Sequence, residues 1–94
     1  MLIDTHCHLY FDEIKNDLEN VFLRAKELGV TKFVCVGTNI SDSKMSLNLS
    51  REYKHVYATA GIHPHDAKDA PVNYVDRIYQ LLNHNKVVAV GEIG

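Results

Sequence analysis

Two cysteines are all the chain holds, Cys7 and Cys35, and they form no CxxC pair. Paired-cysteine redox and zinc motifs are thereby excluded, and Cys35, inside Phe33-Val34-Cys35-Val36, reads as a buried thiol in a reduced, cytosolic setting. Basic residues are few and scattered: ten Lys and Arg stand against twelve Asp and Glu. Without a basic cluster the chain lacks the footprint of a protein that grips nucleic acid with its own charge. A nucleic-acid substrate held through metal cations stays open. No basic segment or long apolar run follows Met1, so neither a secretory signal nor a membrane span is expected. No charge run, linker or low-complexity segment interrupts the 94 residues. With 46% hydrophobic residues they suffice for one small domain with a modest core.

What is present is organised around Asp4-Thr5-His6-Cys7-His8, which follows Leu2-Ile3 as the end of a short buried strand. Strand alternation sends Asp4, His6 and His8 to one face and Ile3, Thr5 and Cys7 to the other. Two imidazoles on one face, about 7 Å apart at the usual strand rise, can close on one metal ion. The alternative is a pair of surface histidines near a chain terminus.

Downstream, the spacing of Ile14, Leu18, Val21, Phe22, Ala25 and Leu28 predicts one helix over Phe11–Gly29, capped by Asp12 and closed by Gly29. Thr31–Val36 reads as a strand covered on both faces. Ser41 opens a second helix along Met45, Leu49 and Tyr53. Val56–Ala60 is a third strand, and Asp69 and Pro71 open a third helix with Val75, Ile78, Tyr79 and Leu82 as its apolar face. Val87–Val90 is a fourth buried strand.

This β-α-β-α-β-α-β order, with units of about 25–30 residues, implies parallel strands joined by right-handed crossovers. No GxGxxG loop follows the first strand, which argues against a dinucleotide fold. His6, His8, Thr38, His63, His65 and Glu92 all fall at or just past the C-terminal ends of strands, where (β/α)₈ barrels build their sites. The expected fold class is therefore α/β, the N-terminal part of a TIM barrel. A whole barrel takes about 250 residues, so residues 1–94 are expected to be a partial barrel truncated after its fourth strand.

Glu92, at the mouth of an otherwise apolar strand, would be costly to bury unless paired or metal-bound. It can offer one oxygen to each of two cations, and paired metals are a standard device for phosphate-ester hydrolysis. The alternative is a carboxylate exposed at a strand end. Gly61-Ile62-His63-Pro64-His65 brings two more imidazoles to the same rim. His63, nearer the strand, reads either as a substrate contact or as a structural histidine, and His65 as an outer or loop histidine. His55 and His84 lie near helix ends. No Ser/His/Asp or Cys/His constellation is present, and Cys7 faces away from its flanking histidines.

Together Asp4-Thr5-His6-Cys7-His8-Leu9, Gly61-Ile62-His63-Pro64-His65 and Gly91-Glu92-Ile93-Gly94 resemble the N-terminal signatures of TatD-family metal-dependent deoxyribonucleases. The first motif is shared with many amidohydrolase-like barrels; the other two, in this order and spacing, make the likeness specific. The resemblance implies that His6 and His8 bind one divalent metal ion and that Glu92 bridges to a second, the ions being Mg, Mn or Zn. It implies that His63 lies near the phosphate of a DNA substrate. The family's further ligands, two histidines and a catalytic aspartate, belong to later strands. The competing expectations are an amidohydrolase-like enzyme cleaving C–N or ester bonds, and a non-catalytic chain. The isolated chain is expected to self-associate through open strand edges.

Overall fold

β-Branched and aromatic runs become strands in the computed structural model, which describes residues 1–94. The elements in order are β1 (Leu2–Cys7), α1 (Asp12–Lys15), α2 (Leu18–Glu27), β2 (Val30–Cys35), α3 (Ile40–Glu52), β3 (Val56–Ala60), a 3₁₀ turn (Pro64–Asp69), α4 (Tyr74–Leu82) and β4 (Val87–Val90). All strands are parallel and lie in the order β1-β2-β3-β4. Three consecutive crossovers of one hand stack the helices on one face of the sheet. Alternate strand residues point to that face, and Phe33, Cys35, Val56, Ala58 and Ala60 are buried there.

The main core joins Leu9, Tyr10, Leu18, Phe33, Cys35, Leu49 and Val56, with Phe22, Met45 and Tyr53 packed around it. Each fully buried Leu, Phe or Val contributes about 1.5–3 kcal/mol relative to leaving it in water. Leu47, Ala60 and Leu81 form a second cluster beneath α4.

The sheet-facing side of α3 carries Ser43, Ser46 and Ser50, all fully buried. Every hydroxyl is paired: Ser43 donates to the Gly61 carbonyl at 3.3 Å, Ser46 to Cys35 Sγ at 3.4 Å and Ser50 to the Leu47 carbonyl at 2.6 Å. Small side chains let the helix lie close to the strand ends. A Cβ on Gly37 would come within 2.8 Å of the Ser43 Cα, so that close approach requires glycine.

Several element boundaries differ from those expected. The single helix over Phe11–Gly29 is two helices, broken at Asn16-Asp17, with Phe11 and not Asp12 at the first N-cap. Asn and Asp bond locally and compete with the helix, and the Asp17 carboxylate accepts from the Asn20 amide at 2.7 Å. Gly29 does take the left-handed conformation at the helix end, with φ 87°.

The second helix is capped by Asn39 and not Ser41: the Asn39 side chain accepts from the Asp42 N–H at 2.7 Å. Thr38 donates its hydroxyl to the Asp42 carboxylate, which holds that residue in the first turn. The third helix begins at Tyr74, after an extended Ala70, the conformation favoured before proline. β2 is covered on its helix side only. Neither β1 nor β4 is buried, Leu2 being 58% and Val88 and Val90 each 54% exposed, because each strand pairs with a single neighbour and the sheet face opposite the helices is open.

His55 enters β3 between aromatic rings, with the Phe22 centroid at 4.4 Å and Phe33 at 5.8 Å. Loss of hydration lowers its pKa, and Lys86 adds to the shift. The unfolded chain therefore takes up this proton first, so stability is fully present above about pH 6.5, the unfolded value, and declines as pH falls through the lower folded value. The urea midpoint of the native sequence should fall more between about pH 7.5 and pH 5.5 than that of His55→Asn. Equal falls would show that His55 is not the group responsible.

Candidate metal centre

The end of β1 is irregular. Asp4 pairs with Phe33 and Cys7 with Cys35, so the first strand uses one residue more than the second over this interval. The Asp4 carboxylate accepts from the His6 backbone N–H at 3.0 Å. Asp4 thus braces the bend locally, on the backbone of the residue whose face alternation gives it.

Beyond the bend, His6 and His8 lie edge to face, with ring centroids 5.2 Å apart. His8 also stacks on Phe11 at 5.1 Å. Glu92 reaches the same point from the end of β4: its Oε2 is 3.4 Å from His6 Nε2. One ligand atom from each of His6, His8 and Glu92 lies within 4.8 Å of the others. Two imidazole nitrogens and a carboxylate oxygen at that separation form a donor set that fits a borderline divalent cation.

A buried tyrosine orients His8. Tyr10 donates its hydroxyl to the Val36 carbonyl at 2.9 Å. His8 Nδ1 lies 2.9 Å from the Tyr10 hydroxyl oxygen and 3.2 Å from the same carbonyl. With the tyrosine proton already committed, Nδ1 is the donor and carries the imidazole proton, which leaves Nε2 bare for a cation. Burial raises the Tyr10 pKa, so this phenol keeps its proton. Tyr10 lies outside the motifs that mark the other site residues. The available signal was a tyrosine two residues after His8, since a buried tyrosine hydroxyl needs a partner.

Cys7 takes no part in this cluster. Its thiol donates to the Val34 carbonyl at 3.3 Å, and its pKa is pushed up to about 12, chiefly by burial and further by Cys35 and Asp4. A thiol so disfavoured as thiolate is no ready nucleophile at neutral pH.

His63 approaches from the loop after β3, its Nε2 3.5 Å from Glu92 Oε1. The His65 backbone N–H donates to His63 Nδ1 at 3.1 Å. In the neutral ring Nδ1 is then the acceptor and Nε2 carries the proton. His63 therefore faces the cluster with an N–H donor, where His8 presents a lone pair. His65 contributes this backbone group, and its own ring is exposed. His55 and His84 lie away from the cluster, His55 in the aromatic contacts already described.

A family model described as TatD related DNase matches residues 3–94. The chain belongs to the TatD-related DNase family. This TatD-related chain is 38% identical over 93 residues to the Salmonella typhimurium protein named 3'-5' ssDNA/RNA exonuclease TatD, covering 99% of the chain and 36% of that protein. It is 40% identical over 94 residues to the Bacillus subtilis protein named uncharacterized metal-dependent hydrolase YabD, covering 100% of the chain and 37% of that protein. The crystal structure of YJJV, a TatD homolog from Escherichia coli K12, superposes with a TM-score of 0.91 at 36% identity, over 99% of the chain and 37% of the homolog.

The chain thus spans little more than a third of the length of these relatives. The expected fold class, the N-terminal part of a TIM barrel, is borne out by the parallel βα order and by this superposition. No helix is long and apolar enough to cross a membrane.

Proposed function

We propose that residues 1–94 form part of a metal-dependent hydrolase barrel that cleaves DNA phosphodiester bonds, with His6, His8 and Glu92 as metal ligands and His63 as a substrate contact. The observation that carries this reading is the convergence of two imidazoles and a carboxylate, from opposite ends of the chain, at the C-terminal rim of the sheet. Family membership adds the chemistry: one relative is named a metal-dependent hydrolase and another a single-stranded DNA/RNA exonuclease. Two unpaired thiols, one fully buried, suit a reducing cytosol.

Divalent ions, when bound, supply Lewis acidity that polarises a phosphoryl oxygen and makes a nearby water more acidic. The chain's own residues prepare the place for them. His8 is turned by its Nδ1–H so that Nε2 points outward, and His6 brings a second nitrogen beside it. Glu92 directs one oxygen toward His6 and the other toward His63, and its carboxylate would help hold the ions beside the two imidazoles. Mg, Mn and Zn all accept part of this nitrogen and oxygen set. His63 offers its Nε2–H to a non-bridging phosphate oxygen, holding the substrate without competing for a cation. The catalytic aspartate that the resemblance implies would come from a later strand.

Chelation of the complete protein should abolish hydrolysis of single-stranded DNA, and adding back Mg²⁺, Mn²⁺ or Zn²⁺ should restore it. Hydrolysis that survives exhaustive chelation would refute the metal assignment. Running the same preparation on small amides and esters separates a phosphodiesterase from a C–N or ester hydrolase.

A further inference from the structure

Glu92 is held from behind by a closed ring of hydrogen bonds in which the only side chain is Thr59. Its backbone N–H donates to the Gly37 carbonyl at 2.6 Å. The other polar group of the same peptide unit, the Gly91 carbonyl, accepts from the Thr59 hydroxyl at 3.0 Å. That hydroxyl in turn accepts from the Gly37 N–H at 3.3 Å. Both backbone groups of Gly37, two residues past β2, are thus committed to the Gly91–Glu92 peptide, one directly and one through Thr59. The Gly91 N–H donates to the Ala60 carbonyl at 2.9 Å, continuing the ladder to β3.

Thr59 is buried, 6% exposed, in the central strand β3. Alternation places it opposite Ala58 and Ala60, which face the helices, and therefore on the site's side of the sheet. A hydroxyl can donate and accept at once, and a methyl in its place would strand an N–H and a carbonyl together. The neighbourhood has no slack: a Cβ on Gly61 would lie 2.6 Å from the Gly91 carbonyl carbon. A peptide gripped at both ends in a tight space sets the direction in which its side chain leaves.

We propose that Thr59 is a positioning residue for the metal site, fixing the Gly91–Glu92 peptide so that the Glu92 carboxylate meets His6 and His8. The proposal rests on the reading of Glu92 as a metal ligand. A ligand set works when its support holds it in place, and loss of an outer support typically costs ten- to a hundredfold in metal affinity.

The test is calorimetric titration of Mn²⁺ into the metal-free complete protein, with thermal unfolding followed alongside. Thr59→Val, close to isosteric, should weaken Mn²⁺ binding about tenfold, and Thr59→Ser should bind within about twofold of the native protein. In a Glu92→Gln background Thr59→Val should weaken binding no further, because the two residues act through one carboxylate. Native-like binding by Thr59→Val, or the same loss in both backgrounds, would overturn the proposal. Glu92→Gln binding Mn²⁺ as tightly as the native protein would instead overturn the ligand reading of Glu92. Should the valine variant not fold, Thr59→Cys, which keeps the volume with a weaker hydrogen bond, is measured in its place. Its affinity should lie between those of the native and Glu92→Gln proteins, and a native value would count against Thr59.

Discussion

Glu92→Ala in the complete protein should reduce the rate of single-stranded DNA hydrolysis by more than about a hundredfold, while His65→Ala stays within about threefold of the native rate. The asymmetry follows from what each side chain can reach. Glu92 has one oxygen 3.4 Å from His6 and the other 3.5 Å from His63, so its loss removes the only carboxylate in the cluster and leaves two imidazoles to hold a cation. Anionic oxygen is also what balances a divalent charge in a partly buried place. The exposed ring of His65 does none of this, and alanine keeps the backbone N–H that orients His63. The comparison is a kinetic one on matched preparations, with folding verified by thermal unfolding. Native activity in Glu92→Ala, or equal losses in the two variants, would remove Glu92 from the site.

The second large effect concerns the 94 residues expressed alone. They should associate into dimers or larger species at micromolar concentration and hydrolyse DNA at less than about a hundredth of the complete protein's rate. β1 pairs only with β2, and β4 only with β3, so each leaves a row of unpaired backbone groups at an edge. Val87-Val88-Ala89-Val90 contains no charge and no proline to discourage another strand from adding there. Ile93 at 60% exposure extends the apolar surface past the strand end. The cluster meanwhile offers three protein donors, fewer than two cations require. Sedimentation velocity and a DNA cleavage assay on the same sample decide the matter. A monomer cleaving at the complete protein's rate would show that neither the edges nor the donor count has this consequence.

How far local pattern carries is seen in where it stopped. Strand positions were legible because β-branched residues cluster there, and Val56–Ala60 and Val87–Val90 were placed to the residue. Helix starts were not. Asn39 and Ser41 are both good caps, and the choice between them is made by the Thr38 hydroxyl meeting the Asp42 carboxylate. The break at Asn16-Asp17 was hidden because the apolar spacing continues across it, with Ile14 and Leu18 on one stripe. The three buried serines of α3 were likewise invisible to a reading that counts apolar residues as core.

The sequence by itself determined the βα order, the parallel sheet that such an order requires, and the gathering of His6, His8, His63 and Glu92 at strand ends. These follow from periodicity, which acts over a few residues at a time, and from the handedness of crossovers, which acts within one βαβ unit. Only the tertiary structure decided which atoms meet. It turned Asp4 back onto the His6 backbone, put the proton of His8 on Nδ1 through Tyr10 and Val36, and put that of His63 on Nε2 through the His65 N–H. It also tied Glu92 to Gly37 through Thr59. Most of these contacts join residues far apart in the chain, and their hydrogen-bond directions depend on distances of a few tenths of an ångström. No local pattern encodes such distances; they arise when the strands pack side by side.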